Sequence, residues 1–290
     1  MRARVTRTGR RGVARAAVLA VAVSLLASAC SLENWERGFL PGEPGITNQT
    51  DRIATLWTGS WIAAIAVGVI TWGLMIWCVV VYRRRKGDET LPVQLRYHVP
   101  LELMYTVLPI IMIAVLFFYT QRDMGAIVDT SAEPDVRVNV YAKMWSWDFN
   151  YLDDGVWDSG IQAANDGEPG VQDQLPTLYL PVNERVEFIL NSRDVIHSFW
   201  VPAFLFKRDV IPGRTSTFQV VPEREGIYQG KCAELCGEYH SDMLFNVAVV
   251  SRAEYDAHMD YLRGLGQVGV LGPELDRIQS TAAAEEVRAG

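Results

Sequence analysis

The 290-residue sequence is short of several things, and each shortage excludes something. It has only four cysteines, too few for a disulfide scaffold in a chain this long. Cations thin out in the C-terminal half: residues 121–290 carry 14 Lys and Arg against 27 Asp and Glu, and neither Lys nor Arg occurs between Lys143 and Arg185. So acidic a half is poorly suited to neutralising phosphates, which argues against nucleic acid as a partner. A partner of opposite sign, steered by the long-range field, fits better. Charge of either sign is missing from Ile53 to Tyr82 and again from Leu103 to Gln121. No Cys-x-x-Cys-His occurs, so no c-type haem is attached to this chain. Internal repeats are also lacking. With 49% hydrophobic residues, the chain is not disordered.

What is present divides the sequence into segments. Residues 1–30 contain six Arg and no acid, then an apolar run from Ala16 to Ala29 ending in small residues before Cys30. That is the build of a secretory signal, too short to span a bilayer unaided. Cys30 after Ala27, Ser28 and Ala29 also resembles a bacterial lipobox, with Ala27 where Leu is usual and Leu26 one place earlier, which predicts lipidation of Cys30 as the mature N-terminus. Residues 31–52 follow as an extracytoplasmic segment. The two charge-free runs are predicted membrane helices, 53–82 and 103–121, each long enough to cross ~30 Å of hydrocarbon. Pro109, early in the second, is tolerated where neighbouring helices satisfy the freed backbone. Arg83, Arg84, Arg85 and Lys86 directly follow the first run. Basic residues stay inside, so the loop 83–102 faces the cytoplasm and everything after residue 122 faces out. The signal segment independently predicts the same orientation.

Residues 122–262 change character. Alternating, β-branched runs at Val136–Tyr141, Arg185–Leu190, Thr215–Val221 and Phe245–Val250 are separated by Pro, Gly, Asn and Asp. No helical period returns until Arg252–Arg263. The pattern predicts an antiparallel all-β sandwich or Greek-key barrel. Residues 152–176 read as an acidic insertion without regular structure, a docking surface or a mobile loop. Residues 263–290 read as a flexible tail.

The densest chemistry is Cys232-Ala-Glu-Leu-Cys236-Gly-Glu-Tyr-His240-Ser-Asp-Met243, with His197 on an earlier loop. Thiolates with imidazole select copper or zinc over calcium or magnesium. A zinc site needs four N/S ligands in a tetrahedron, and these residues could supply them. A thioether such as Met243 is a poor zinc ligand and a common weak axial copper ligand. A disulfide between Cys232 and Cys236 is the third reading, since an outward-facing domain is oxidising. On residue chemistry alone, copper, zinc and disulfide all stay open.

Over roughly residues 50–262 the sequence resembles subunit 2 of the haem-copper cytochrome c oxidases. The resemblance is carried by the two-helix hairpin, by Met144-Trp145-Ser146-Trp147-Asp148-Phe149, by Asp194-Val195-Ile196-His197-Ser198-Phe199, by Ile211-Pro212-Gly213-Arg214, and above all by the Cys-x3-Cys-x3-His-x2-Met run. It implies a two-helix transmembrane hairpin followed by an all-β cupredoxin (Greek-key barrel) domain holding a dinuclear copper centre, CuA. Cys232 and Cys236 would bridge two copper ions. His197 and His240 would bind one each, with Met243 and the Glu234 carbonyl as weak outer ligands. The Glu234 side chain would face a magnesium ion shared with subunit 1. Trp145 would receive electrons from cytochrome c or a tethered cytochrome domain. Strand alternation offers a plainer reading, with Trp145 and Trp147 on one core-facing side. Asp194 and the acidic insertion would supply a docking field for a basic cytochrome. Glu102, in Glu102-Leu-Met-Tyr105-Thr, would mark a proton-pathway entrance, although the family usually has Trp where Tyr105 stands.

The implied function is that of the electron-accepting subunit of a respiratory oxidase in a bacterial plasma membrane. Oxygen chemistry and proton pumping would lie in a partner subunit. From a different class, a membrane-anchored copper-binding or copper-delivery protein without a redox role would also need soft ligands. His98 and His258 carry no partner spacing and read as surface residues, and Cys78 within the first span reads as a small buried apolar residue.

Overall fold

The structure is a computed structural model and describes residues 37–84, 87, 91, 93–164 and 171–277. The signal segment and Cys30 lie outside the described residues. Two long helices come first, α1 (Thr50–Val81) and α2 (Val99–Val128). Both are long and apolar enough to cross a membrane. Most of their side chains are exposed, as suits helices whose apolar surface faces lipid and not a protein core.

The helices outrun the charge-free stretches, beginning at Thr50 rather than 53 and covering 99–128 rather than 103–121. The extra turns are stabilised by polar partners. At the start of α2 the His98 ring accepts the Leu101 N–H at 3.3 Å, while Glu102 Oε1 accepts the His98 N–H at 2.8 Å. Two of the helix's otherwise unpaired donors are thereby satisfied. At the other end Asp123 is buried between Arg52 and Arg122, at 3.2 and 2.8 Å. Gln49 Nε2 reaches the Ala126 carbonyl. The hairpin is then tied to the following domain: Val221 N–H donates to Asn48 Oδ1, and Gln219 Nε2 donates to the Ala132 carbonyl at 3.0 Å.

That domain has ten strands: β1 (Val136–Lys143), β2 (Ser146–Tyr151), β3 (Val156–Ser159), β4 (Thr177–Pro181), β5 (Val186–Ser192), β6 (His197–Val201), β7 (Phe206–Val210), β8 (Ser216–Val220), β9 (Gly226–Cys232) and β10 (Leu244–Val250). They form two sheets, ordered β3-β2-β1-β5-β8 and β4-β10-β9-β6-β7. The pairs β1/β5 and β4/β10 are parallel; the rest are antiparallel, so the chain crosses between sheets as in a Greek key. This is the all-β Greek-key domain that the strand pattern predicts and the family resemblance implies as a cupredoxin, although two strand pairs are parallel where the pattern suggests antiparallel ones throughout. Between the sheets the rings of Trp147, Phe199 and Phe245 meet with centroids 4.9–5.6 Å apart. Such aromatic pairs add roughly 0.5–1.5 kcal/mol each beyond burial. Helix α3 (Arg252–Gly264) starts with a Ser251/Glu254 capping box. It buries Tyr255, Met259 and Leu262, one stripe at helical spacing.

Two expectations change. The stretch 152–176 is not wholly irregular: Val156–Ser159 pairs with β2, Arg137 Nε donates to Asp153, and Asp154 accepts from Tyr255 Oη at 2.8 Å. The supposed tail is ordered over residues 265–277. Trp157 N–H donates to the Gln267 carbonyl at 3.1 Å and Gly269 N–H to the Gly155 carbonyl at 2.8 Å, while Leu271 N–H donates to Asn150 Oδ1 at 2.7 Å.

Candidate metal centre

The sulfur and imidazole side chains meet at one end of the β domain because three segments finish there. His197 opens β6, Cys232 closes β9, and the loop 233–243 returns to β10 carrying Cys236, His240 and Met243. Backbone bonds fix this loop: Cys232 N–H to the Met243 carbonyl at 3.0 Å, and Ala233 N–H to the Ser198 carbonyl at 3.0 Å.

The two sulfurs stand 3.9 Å apart. A cystine link requires about 2.05 Å, so both thiols are free. Each sulfur has its own imidazole: His197 Nδ1 lies 3.8 Å from Cys232 Sγ, and His240 Nδ1 lies 3.5 Å from Cys236 Sγ. The Met243 sulfur is 3.8 Å from Cys236 Sγ, and the Glu234 carbonyl is 3.2 Å from Cys232 Sγ. Cys232, Cys236, Met243 and His197 are buried, while His240 is half-buried and the Glu234 side chain is exposed. The candidate ligand atoms of His197, Cys232 and Cys236 all lie within 4.8 Å of one another. The donor set of two thiols, two imidazoles, a thioether and a carbonyl is soft and suits copper. It exceeds the four ligands of one tetrahedral zinc.

The electrostatics prepare the donors unequally. Burial works against charge on Cys232, but the hydrogen bond from His197 and nearby backbone donors outweigh it and pull the thiol down. Burial, then the neighbouring Cys232, pushes Cys236 up to about 12. For His197, burial opposes protonation and the Asp194 hydrogen bond overcomes it, so the ring is raised. Metal ligation needs both sulfurs deprotonated, so uptake displaces a proton from Cys236.

Asp194 is not a surface acid. It is 6% exposed, which corrects its expected place in a docking field. Its Oδ1 meets His197 Nε2 at 2.8 Å and its Oδ2 accepts the Met144 N–H at 2.8 Å. A carboxylate on the outer nitrogen fixes a ligating imidazole's tautomer and orientation. Although burial opposes the charged form, hydrogen bonding to His197 and to the backbone N–H groups of Met144 and Val195 holds Asp194 below the usual carboxylate range.

Trp145 and Trp147 part company. Trp147 is fully buried, whereas Trp145 lies in the turn before β2, where strand alternation does not apply. Its ring packs edge-on to Tyr239 with centroids 4.9 Å apart, and its Nε1–H donates to the Cys236 carbonyl at 3.2 Å. Trp145 is half-buried, and Tyr239 beside it is exposed, as are Val195, Ile196 and Leu235 on the two loops that carry the candidate ligands. Glu102 sits far off in sequence and fold, capping α2. His258 is not a plain surface residue: it stacks on Tyr179 at 3.6 Å. Arg193, unremarked in the sequence, is 3% exposed. Its only advance signal is a lone cation directly beside an acid three residues before a candidate ligand.

The family model described as cytochrome c oxidase subunit II, periplasmic domain, matches residues 136–250. The probable cytochrome c oxidase subunit 2 of Streptomyces avermitilis is 42% identical over 296 residues, which cover 91% of this chain and 92% of that protein. The chain belongs to the cytochrome c oxidase subunit 2 family. Cytochrome c oxidase subunit 2 of Mycobacterium tuberculosis is 34% identical over 300 residues, covering 87% of this chain and 82% of its own. Among solved structures, the periplasmic domain of subunit II of cytochrome oxidase from Bradyrhizobium japonicum is 29% identical, with a TM-score of 0.43, over 46% of this chain and 97% of that one. The matched region contains His197, Cys232 and Cys236, whose gathered donors fit a copper site.

Proposed function

We propose that this subunit 2 accepts electrons from a c-type cytochrome and hands them to haem in subunit 1, where oxygen is reduced to water with proton pumping. The observation that carries the reading is the pair of free sulfurs 3.9 Å apart, each with its own imidazole. Two copper ions sharing both thiolates would use all six donors, with His197, His240, Met243 and the Glu234 carbonyl as terminal ligands. Bound there, the copper pair supplies a one-electron relay whose charge change is spread over two metals. The chain's part is to hold the donors still. Loops on a rigid barrel, an imidazole braced by Asp194 and a buried Met243 keep the geometry through both redox states.

Electrons enter at Trp145. Its indole is half-buried, and its N–H donates to the carbonyl of Cys236, a short bonded route to a sulfur that would hold copper. Docking uses the exposed apolar side chains of the ligand loops, Val195, Ile196, Leu235 and Tyr239, with the domain's negative charge acting at longer range. In this reading the exposed carboxylate of Glu234 shares magnesium with subunit 1, and Glu102 feeds protons from the cytoplasmic side. The protein belongs to a bacterial plasma membrane with its β domain outside and Cys30 lipidated. A copper-delivery protein would have no use for Trp145. Trp145→Phe in the assembled oxidase is therefore the test: cytochrome c oxidation should slow by at least tenfold while copper content stays at the wild-type level. Wild-type turnover in that variant would remove the electron-acceptor role.

A further inference from the structure

Arg193 is a buried cation with an unusual set of partners. Its Nε donates to Asp148 Oδ2 at 2.8 Å. Its Nη1 donates to the Gly272 carbonyl at 2.8 Å and to Asp276 Oδ1 at 3.1 Å, and its Nη2 to the Leu271 carbonyl at 3.1 Å. The guanidinium lies 4.0 Å over the Tyr141 ring. The backbone of Arg193 is held twice as well: its N–H donates to the Ala142 carbonyl at 2.9 Å, and its carbonyl accepts the Arg277 N–H at 2.8 Å. Most of these partners come from residues 271–277, beyond the last core residue, Leu262. The next residue along the chain is Asp194, which grips both His197 and the Met144–Trp145 turn.

We propose that residues 265–277 form a positioning strap for the metal centre, with Arg193 as its clasp. An ion this deeply buried is stable only when its donors are paired. The barrel itself offers Asp148; the strap offers two carbonyls and a second carboxylate. The inward pose of Arg193 therefore depends on the strap. With the strap in place, the loop 193–196 has one conformation, and that conformation aims the Asp194 carboxylate at His197 Nε2. Without it the guanidinium turns to water, the Arg277–Arg193 backbone bond is gone, and Asp194 and His197 lose their fixed alignment. Arg193 and Asp276 act through Asp194 and touch no metal. The proposal rests on His197 being a copper ligand.

The test uses the full chain assembled in its oxidase, compared with a chain ending at Gly264, with Arg193→Lys and with Asp276→Asn. Truncation frees the guanidinium into solvent and leaves the core sequence complete. Lysine keeps the charge but lacks the planar fork that reaches four acceptors. Asp276, with a side chain 20% exposed, is the milder probe and decides the matter if the truncated chain does not assemble. Truncation and Arg193→Lys should weaken copper retention by about 10- to 100-fold and alter the hyperfine pattern of the paramagnetic signal. Amide exchange at residues 194–197 should quicken in copper-free protein, and Asp276→Asn should move each readout the same way by less. Wild-type retention, spectrum and exchange in all three variants would overturn the strap. A wild-type chain lacking any copper signal would instead sink the metal assignment, and exchange of the copper-free loop would then decide the strap alone.

Discussion

Replacing Asp194 by Asn keeps the side chain's shape and removes its charge, at a position where both oxygens are in use. His197 Nε2 and the Met144 N–H each lie 2.8 Å from one of them, and the side chain is 5% exposed. Asparagine has one oxygen for these two donors, so one donor must face an amide NH2. A hydrogen bond to a charged group contributes about 1.5–3 kcal/mol, and a buried donor left unpaired costs about 1–3 kcal/mol more. Part of that loss falls on folding and part on the metal site, where outer-sphere substitutions weaken binding by about 10- to 100-fold. Burial already opposes protonation of His197 and the Asp194 bond overcomes it, so the Asp194→Asn variant should also protonate His197 at lower pH in copper-free protein. The sign for Asp194 itself follows from its depressed value: its stabilisation is present above the ordinary carboxylate range and is lost as pH falls below it. A chelator-competition titration on detergent-solubilised full chain measures the affinity, and paramagnetic resonance follows the site. Affinity within about threefold of wild type, well short of the expected loss, with an unchanged spectrum, would refute the bracing role.

Two further outcomes follow from single positions. Gly237 has φ +125°, and a Cβ there would lie 3.2 Å from the Trp145 ring. Gly237→Ala should destabilise the loop by about 1–3 kcal/mol and displace the indole, seen as a shifted tryptophan fluorescence and slower cytochrome oxidation; an unshifted indole with wild-type turnover would contradict the packing. Burial against Tyr179 lowers His258 to about 4, so the folded chain resists a proton that the unfolded chain takes up. Stability is full above about pH 6.5 and falls progressively towards pH 4, by up to about 3 kcal/mol. His258→Phe should flatten that part of the pH dependence of thermal unfolding, and an identical slope in both proteins would exclude His258 as its source.

The candidate metal run is legible because it is local: twelve consecutive residues carry five of the six candidate donors, and their spacing survives folding. Membrane spans were legible from missing charge, but their ends were not, since Asp123 is hidden between two arginines and Glu102 caps its own helix. Strand alternation misplaced Trp145 because a turn breaks the period one residue before β2. Asp194 read as surface because acids usually are; only the fold brings His197 and Met144 to it. The strap at 265–277 has no period and much glycine. Its order comes from Asn150 and Arg193, some 78 to 121 residues away in sequence, which no local pattern encodes.

The central claim is tested most directly by counting copper in purified full-length protein while recording its paramagnetic spectrum. Two copper ions per chain, with one unpaired electron spread over both nuclei and the signal abolished by Cys236→Ser, is the predicted result. A single zinc ion, or one copper whose signal survives Cys236→Ser, would contradict it.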